Sequence, residues 1–229
     1  MKIKVFQVDP QRDQHYTLFR SYESVMQSTG QIDPGIYKTV FDGNVDAQDL
    51  EDVFAVLNFN HPVGYNGHSL SVSDIVEMEG RGCFYCDSLG FKEVPDFDTA
   101  KVEPLTGHRM LVIEPRKAPY EIVIPDGLEP LQQAVGGWIE CTYPFDDSVY
   151  VIGNEEAKLI GLEGNRRING GIYAGTILIA GDDGEGGTRD LTDDQIRRYT
   201  DMFRTPEYIT PEEVQRDIWC AFVGFDEIS

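Results

Sequence analysis

Residues 134–187, AVGGWIECTYPFDDSVYVIGNEEAKLIGLEGNRRINGGIYAGTILIAGDDGEGG, decide how this chain can fold. Short β-like runs at 138–143, 149–152, 157–162 and 176–179 alternate with links dense in Gly, Asn and Asp. Those links are PFDD (144–147), GNEE (153–156), GNRR (164–167) and the loop GDDGEGG (181–187). Strands this short, joined this tightly, predict antiparallel sheet. A sheet also holds its turns rigidly, and rigid turns are where binding groups are placed. The polar turn residues are therefore the candidate ligand- or partner-binding set: Asp146, Asp147, Asn154, Glu155, Asn165, Arg166, Arg167, Asp182 and Asp183.

Arg166 and Arg167 are an adjacent basic pair in a chain with few cations, and guanidinium groups read phosphate or carboxylate well. Asn154, Asn165 and Arg166, if they converge, would hold a nucleotide-like ligand. Ion pairs with Glu155 or Glu163 are the simpler role for the arginines. The loop 181–187 lacks the aspartate spacing and distal glutamate of a calcium-binding EF-hand, and it lacks the Lys-Ser/Thr of a phosphate-binding loop. Gly and Asp in that order build tight turns.

Outward from this stretch, 110–114 and 121–124 read as paired strands. Residues 126–129 (DGLE) read as a capping box opening a helix with Leu128, Leu131, Ala134 and Val135 buried and Gly136-Gly137 at its end. Residues 192–195 (TDDQ) and 210–213 (TPEE) are two more helix starts, the second with Pro211 at the favoured first position. Ile196, Tyr199 and Phe203 line one face of the first helix; Val214, Ile218 and Phe222 line one face of the last.

In this half, LVIEPRKAPYEIVIPDGLEPLQQAVGGWIE, YPFDD, NEEAKLIGLEGNR, AGTILIAGDDGEG and LTDDQI occur in order, and together they resemble domain-of-unknown-function family 3846. The resemblance implies a small α+β domain, with no assigned activity, in proteins of phages and mobile elements of Gram-positive bacteria.

The first half opens with a strand at 2–8. A helix follows over 16–27, stopped by Gly30, then a strand at 37–41. Asp46 is expected to cap a helix bearing Leu50, Val53, Phe54 and Leu57, which Pro62 ends. A strand through Leu70, Val72 and Ile75-Val76 precedes a hairpin of 82–85 with 89–94. HPVGYNGHSLSVSDIVEM followed by FYCDSLGFKEVPDF is similar to the YodL-like domain, a module of phage and conjugative-element proteins whose resemblance brings no established activity. The expected organisation is a YodL-like domain at 1–98, a linker at 99–109, a second domain at 110–205 and a packed C-terminal helix at 206–229. The fold class is α+β: two small mixed domains, antiparallel sheets with a few packed helices.

His68, Ser69, Ser71, Ser73 and Asp74 supply the residue types of a nucleophilic triad, but no Gly-x-Ser-x-Gly elbow surrounds any of the serines. Ser and Asp beside a strand more often satisfy neighbouring loop backbone, and His61 and His68 are read as loop-fixing donors, with His68 kept among the candidate binding residues. Cys83 and Cys86 have C-x-x-C spacing with no second pair to complete a zinc site. No catalytic residue, metal or cofactor is therefore expected.

Composition narrows the partners. The formal charge is −21: 7 basic against 16 acidic residues up to Ala100, net −9, and 12 against 24 thereafter, net −12. A field acidic in both halves repels phosphate backbones and anionic membranes and favours a basic protein partner. No apolar run approaches the roughly 20 residues of a membrane helix, and the start reads as a charged strand, not a signal peptide. These features together lead to an expectation of a cytosolic, non-enzymatic accessory protein. It would inhibit a basic or nucleic-acid-binding host defence protein through an acidic, DNA-mimicking surface. The alternative is a binder of a small nucleotide signal. A closed symmetric dimer is the default should it self-associate.

Overall fold

Strand β1 (Lys2–Val8) is the centre of the first compact unit, Met1–Gly107. It pairs antiparallel with β2 (Tyr37–Asn44) on one side and β3 (Ile75–Met78) on the other. β4 (Gly82–Cys86) and β5 (Phe91–Glu93) extend the sheet in the order β5-β4-β3-β1-β2. The structure, a computed structural model, describes the backbone of residues 1–223 and side chains as far as Ile218. Phe222, expected on the last helix's buried face, and Cys220 lie outside the described side chains.

Helix α1 (Tyr22–Thr29) starts six residues later than the sequence pattern suggests. Tyr16 and Phe19 both have positive φ, 55° and 63°, so the chain turns twice before Ser21 caps the helix. Its Val25 enters a core with Phe6, Val8, Ile36, Tyr37, Ile75, Cys83 and Tyr85. Helix α2 (Leu50–Phe59) is capped by Asp49, not Asp46: the Asp49 carboxylate accepts from the Asp52 amide at 2.9 Å. Val53 and Leu57 of α2 are buried, whereas Phe54 is on the exposed side. Residues 70–74, expected as part of a strand, instead form a turn in which Asp74 accepts from the Ser71 amide. Residues expected in a linker are tied to β2: the Thr39 amide donates to Glu103 O and the Glu103 amide to Tyr37 O.

The second unit, from His108 onward, has a sheet in the order β7-β6-β12-β9-β8. These are β6 (Gly107–Ile113), β7 (Tyr120–Pro125), β8 (Ile139–Thr142), β9 (Val149–Asn154) and β12 (Ile177–Asp182), with β13 (Thr188–Arg189) beside β12. β10 (Gly164–Ile168) and β11 (Gly171–Ala174) form a separate antiparallel hairpin. Helix α3 (Leu128–Val135) packs against β7, β8 and β9. Its N-cap is Gly127, with no side-chain cap from Asp126, and Leu128 is exposed rather than buried.

Leu111, Ile113, Val149, Val151, Ile177 and Ile179 alternate along three strands, which puts them on one face. Tyr199 and Phe203 of α4 (Asp193–Phe203) close over them. Each such buried side chain contributes about 1.5–3 kcal/mol. The Thr192–Gln195 capping box that starts α4 is present in full. α5 (Pro211–Val223) is opened by a reciprocal pair: Thr210 Oγ1 accepts from the Glu213 amide and Glu213 Oε2 from the Thr210 amide. Val214 of α5 joins Ala157, Ile172, Ala174 and Ile209 in a smaller core. β10 passes so close to it that a Cβ on Gly164 would lie 2.7 Å from Ile209 Cβ. Mixed α+β architecture with antiparallel sheets is thus the fold of both units. No helix among the described residues is long and apolar enough to cross a membrane.

Candidate functional site

The second unit holds a cleft of about 570 Å³ between the β8–β9 edge of its sheet and the β10–β11 hairpin. That volume is in the range of small-ligand and side-chain pockets. Glu140 and Thr142 alternate along β8, so both face into it, with Gly153 opposite Glu140 across the strand pair. Tyr173 of β11 spans the gap, its phenol sharing a 2.7 Å hydrogen bond with the Thr142 hydroxyl. The turn 155–162 brings Glu155, Lys158 and Leu159 to one wall, and Ile218 of α5 to another.

This turn replaces the strand expected at 157–162. The Ala157 amide donates to Asn154 O, Ile160 to Glu156 O and Leu162 to Ala157 O, which coils the backbone. Of the apolar run, Ala157 is buried while Leu159 and Ile160 stay 69% and 56% exposed. The expected link 164–167 is in turn the strand β10, and β11 went unanticipated.

Electrostatically the cleft is negative. Lys158 donates to Asp217 Oδ2 at 2.6 Å, so its charge is already matched. Glu140 has no ion-pair partner within 4 Å among the described residues, and its carboxyl is pushed up by partial burial, against the pull of Lys158 and with the help of neighbouring Glu155. A cation would be welcomed there and a phosphate repelled.

The turn residues singled out by sequence do not converge on one ligand. Asn154 is buried; its Nδ2 donates to Gly136 O at 3.0 Å and its Oδ1 accepts from the Glu156 amide at 2.9 Å. It lines the cleft but is consumed by the backbone around it. Asn165 donates to Ile113 O and Gly175 O, both at 2.7 Å. Arg166, 1% exposed, donates to Asn165 O and Oδ1, Lys117 O and Phe203 O. Asn165 and Arg166 do meet, but inside the core, where neither is open to a ligand. Burial lowers the Arg166 pKa, with Glu207 opposing. Arg167 points the other way and pairs with Glu207 and Glu213; Glu163 pairs with Arg116 instead.

The aspartates likewise have local duties. Burial tends to raise the Asp147 carboxyl, but donors from Gln195, Tyr199, Ser148 and Arg198 outweigh it and hold the pKa below the usual range. Asp182 Oδ1 accepts from the Gly184 amide, and Asp183 Oδ1 accepts from the Glu185 and Gly187 amides, which lowers the Asp183 pKa. Asp146 is exposed. Of the expected set, only Asn154 and Glu155 line the cleft. Glu140, Thr142 and Tyr173 are strand side chains and so lie outside the set of polar turn residues, and Lys158 sits in a run whose composition reads as a strand; the period-2 placement of Glu140 and Thr142 is the signal the sequence holds.

In the first unit, His68 sits over a buried polar knot. Gln7 Nε2 donates to His68 O at 2.8 Å, Asp74 Oδ2 at 3.1 Å and the Tyr65 hydroxyl at 3.2 Å. His68 Nδ1 is 3.7 Å from Asp74 Oδ2 and 2.8 Å from Ser69 O. Asp74 is fully buried, its Oδ1 is without a partner, and burial pushes its pKa up to about 8. Ser73, at φ 86°, accepts from the Phe19 amide. Cys83 and Cys86 are both buried, and no cluster of three or more metal-ligating side chains occurs among the described residues.

A profile of the YodL-like domain matches residues 2–97, and one of a domain of unknown function, DUF3846, matches residues 108–204. The chain carries a YodL-like domain followed by a DUF3846 domain. The Gln7–His68–Asp74 knot lies in the YodL-like domain and the acidic cleft in the DUF3846 domain. Ile218, which lines the cleft, and Asp217, which holds its Lys158, lie past the end of the DUF3846 match. No curated protein and no solved structure gives a significant match to the chain.

Proposed function

We propose that this chain is a non-enzymatic accessory protein of a phage or conjugative element. In the host cytosol it binds a basic, nucleic-acid-binding protein, such as a restriction or comparable defence protein, and blocks it with a DNA-like acidic surface. The observation that carries this reading is how the cations are used. Arg12, Arg109, Arg116, Arg167, Arg197, Arg198 and Arg204 are all paired with carboxylates of the chain itself, and Arg166 is inside the core. Carboxylates such as Asp46, Glu51, Glu155 and Glu185 are left facing water. The surplus negative charge is thus a surface property of both units, and it speeds encounter with a basic partner. Immobilised protein exposed to bacterial lysate at low salt tests this. A DNA-binding protein should be retained, released by salt and displaced by duplex DNA. Retention unchanged from low to high salt overturns the reading.

A second reading, sequestration of a small molecule, is supported by the cleft. Its carboxylates favour an organic cation over the nucleotide signal that the arginines suggested. Thermal shifts against a panel of nucleotides and polyamines separate the two, because a ligand of the native state raises Tm.

A further inference from the structure

We infer that the outer edge of β8, with the cleft beneath it, takes an extended basic segment of the partner as an added strand. This names the contact for the acidic-surface reading and rests on it. Three observations support it. β8 ends the sheet order, so among the described residues it has a neighbour, β9, on one side only. An edge of this kind offers unpaired backbone groups to another chain. Trp138 and Tyr143, which flank β8, are 64% and 63% exposed, and Leu159, which lines the cleft with Tyr143, is 69% exposed. Large exposed aromatics flanking a strand edge are the kind of side chain that anchors interfaces.

The charge selects the occupant. A strand laid beside β8 places every second side chain on the face where Glu140 points into the cleft. That face has Glu140 and Glu155, while the one lysine there is held by Asp217. Arg or Lys at alternate positions of the incoming strand would meet carboxylates that lack a cation. Acidic or phosphorylated segments would meet repulsion.

The test uses the full chain and a fluorescein-labelled Arg-Val-Arg-Val-Arg peptide, with binding read by anisotropy. The double variant Glu140→Gln/Glu155→Gln should weaken binding about tenfold or more, whereas Glu51→Gln/Glu185→Gln, which removes the same charge elsewhere, should change it less than about twofold. A peptide of equal charge with proline at the valine positions, which loses two backbone donors and the freedom to lie as a regular strand, should also lose about tenfold. Equal weakening by both double variants, or equal binding of the proline peptide, overturns the inference. So does full displacement by spermidine together with undiminished proline-peptide binding, which would assign the cleft to small cations. If the inference fails while the Glu140→Gln/Glu155→Gln protein still captures a salt-released DNA-binding protein, the acidic-surface reading stands without this contact. Loss of all salt-sensitive capture with peptide binding intact is the converse.

Discussion

Arg166 donates from one guanidinium nitrogen to both the backbone and the side-chain oxygen of Asn165, each at 2.9 Å, in the interior of the second unit. Its second terminal nitrogen reaches Lys117 O at 2.7 Å and Phe203 O at 3.2 Å, while Nε is buried without a partner. One side chain thereby ties β10 to the turn after β6 and to the end of α4. No carboxylate bonds the guanidinium directly: its hydrogen bonds go to carbonyl and amide oxygens, and Glu207 acts on the charge from further off.

Arg166→Met should therefore destabilise the second unit by about 3 kcal/mol or more, because four carbonyl or amide oxygens lose their donor at once. Arg166→Lys should recover little, since an ammonium lacks the planar fork that reaches three separate acceptor sites. Both tryptophans lie beyond residue 107, so urea denaturation followed by tryptophan fluorescence reads this unit. A Met variant as stable as the parent would show that the network is dispensable.

Asp147 joins the turn before β9 to α4 by accepting from Gln195, Arg198 and Tyr199. Asp147→Asn should cost about 1–3 kcal/mol at neutral pH. Its folded pKa is below the ordinary 3.8, so this contribution is complete above pH 4 and is lost as pH falls through the folded value. The stability gap between parent and variant should close under acid. A gap that persists at pH 2 would contradict the assignment.

Asp74 behaves in the opposite sense. Its folded pKa of about 8 stands above the ordinary 3.8, so between those values the folded chain holds a proton that the unfolded chain releases. The group's contribution is full below pH 4 and declines as pH rises towards 8, by up to about 1.4 kcal/mol per pH unit. Scanning calorimetry should find the parent losing stability relative to Asp74→Asn across that window. Parallel pH profiles would refute it.

The cysteines divide by burial. Burial first, then the carboxylates nearby, push the Cys83 and Cys86 thiols up to about 11 and 12, while Cys141 is exposed on β8. In a Cys220→Ser background, Ellman's reagent at pH 8 should titrate one thiol quickly and the other two only after denaturation. Two fast thiols in the native protein would mean that the β4 pair is accessible.

Much of the fold was legible because its strongest determinants are local. The Thr192–Gln195 capping box, the alternation in β1 and the Gly30 and Gly136 stops each act within a few residues. The candidate site was far less legible. The apolar run at 157–162 has the composition of a strand, yet backbone bonds seeded by Asn154 coil it into a turn that leaves Leu159 and Ile160 in water. The GNRR segment looks like a solvated link, since charged residues are seldom fully buried. It is a strand because it pairs with β11, and Lys117 O and Phe203 O, distant in sequence, supply the acceptors that let Arg166 turn inward. Neither segment's immediate neighbours disclose those partners.

Asp217 accepts from Lys158 Nζ and also from the Ile172 amide, 59 and 45 residues away. The polarity of the cleft is therefore shared between its walls and α5: Glu140 and Glu155 supply the carboxylates, and Asp217 withdraws the one lysine that would offset them. Detach that helix and Lys158 turns from a satisfied neighbour into a rival for Glu140 and Glu155, and the cavity's preference for cations fades without any change to the strands that shape it. The last helix thus acts as a polarity setting for a site whose walls it barely forms.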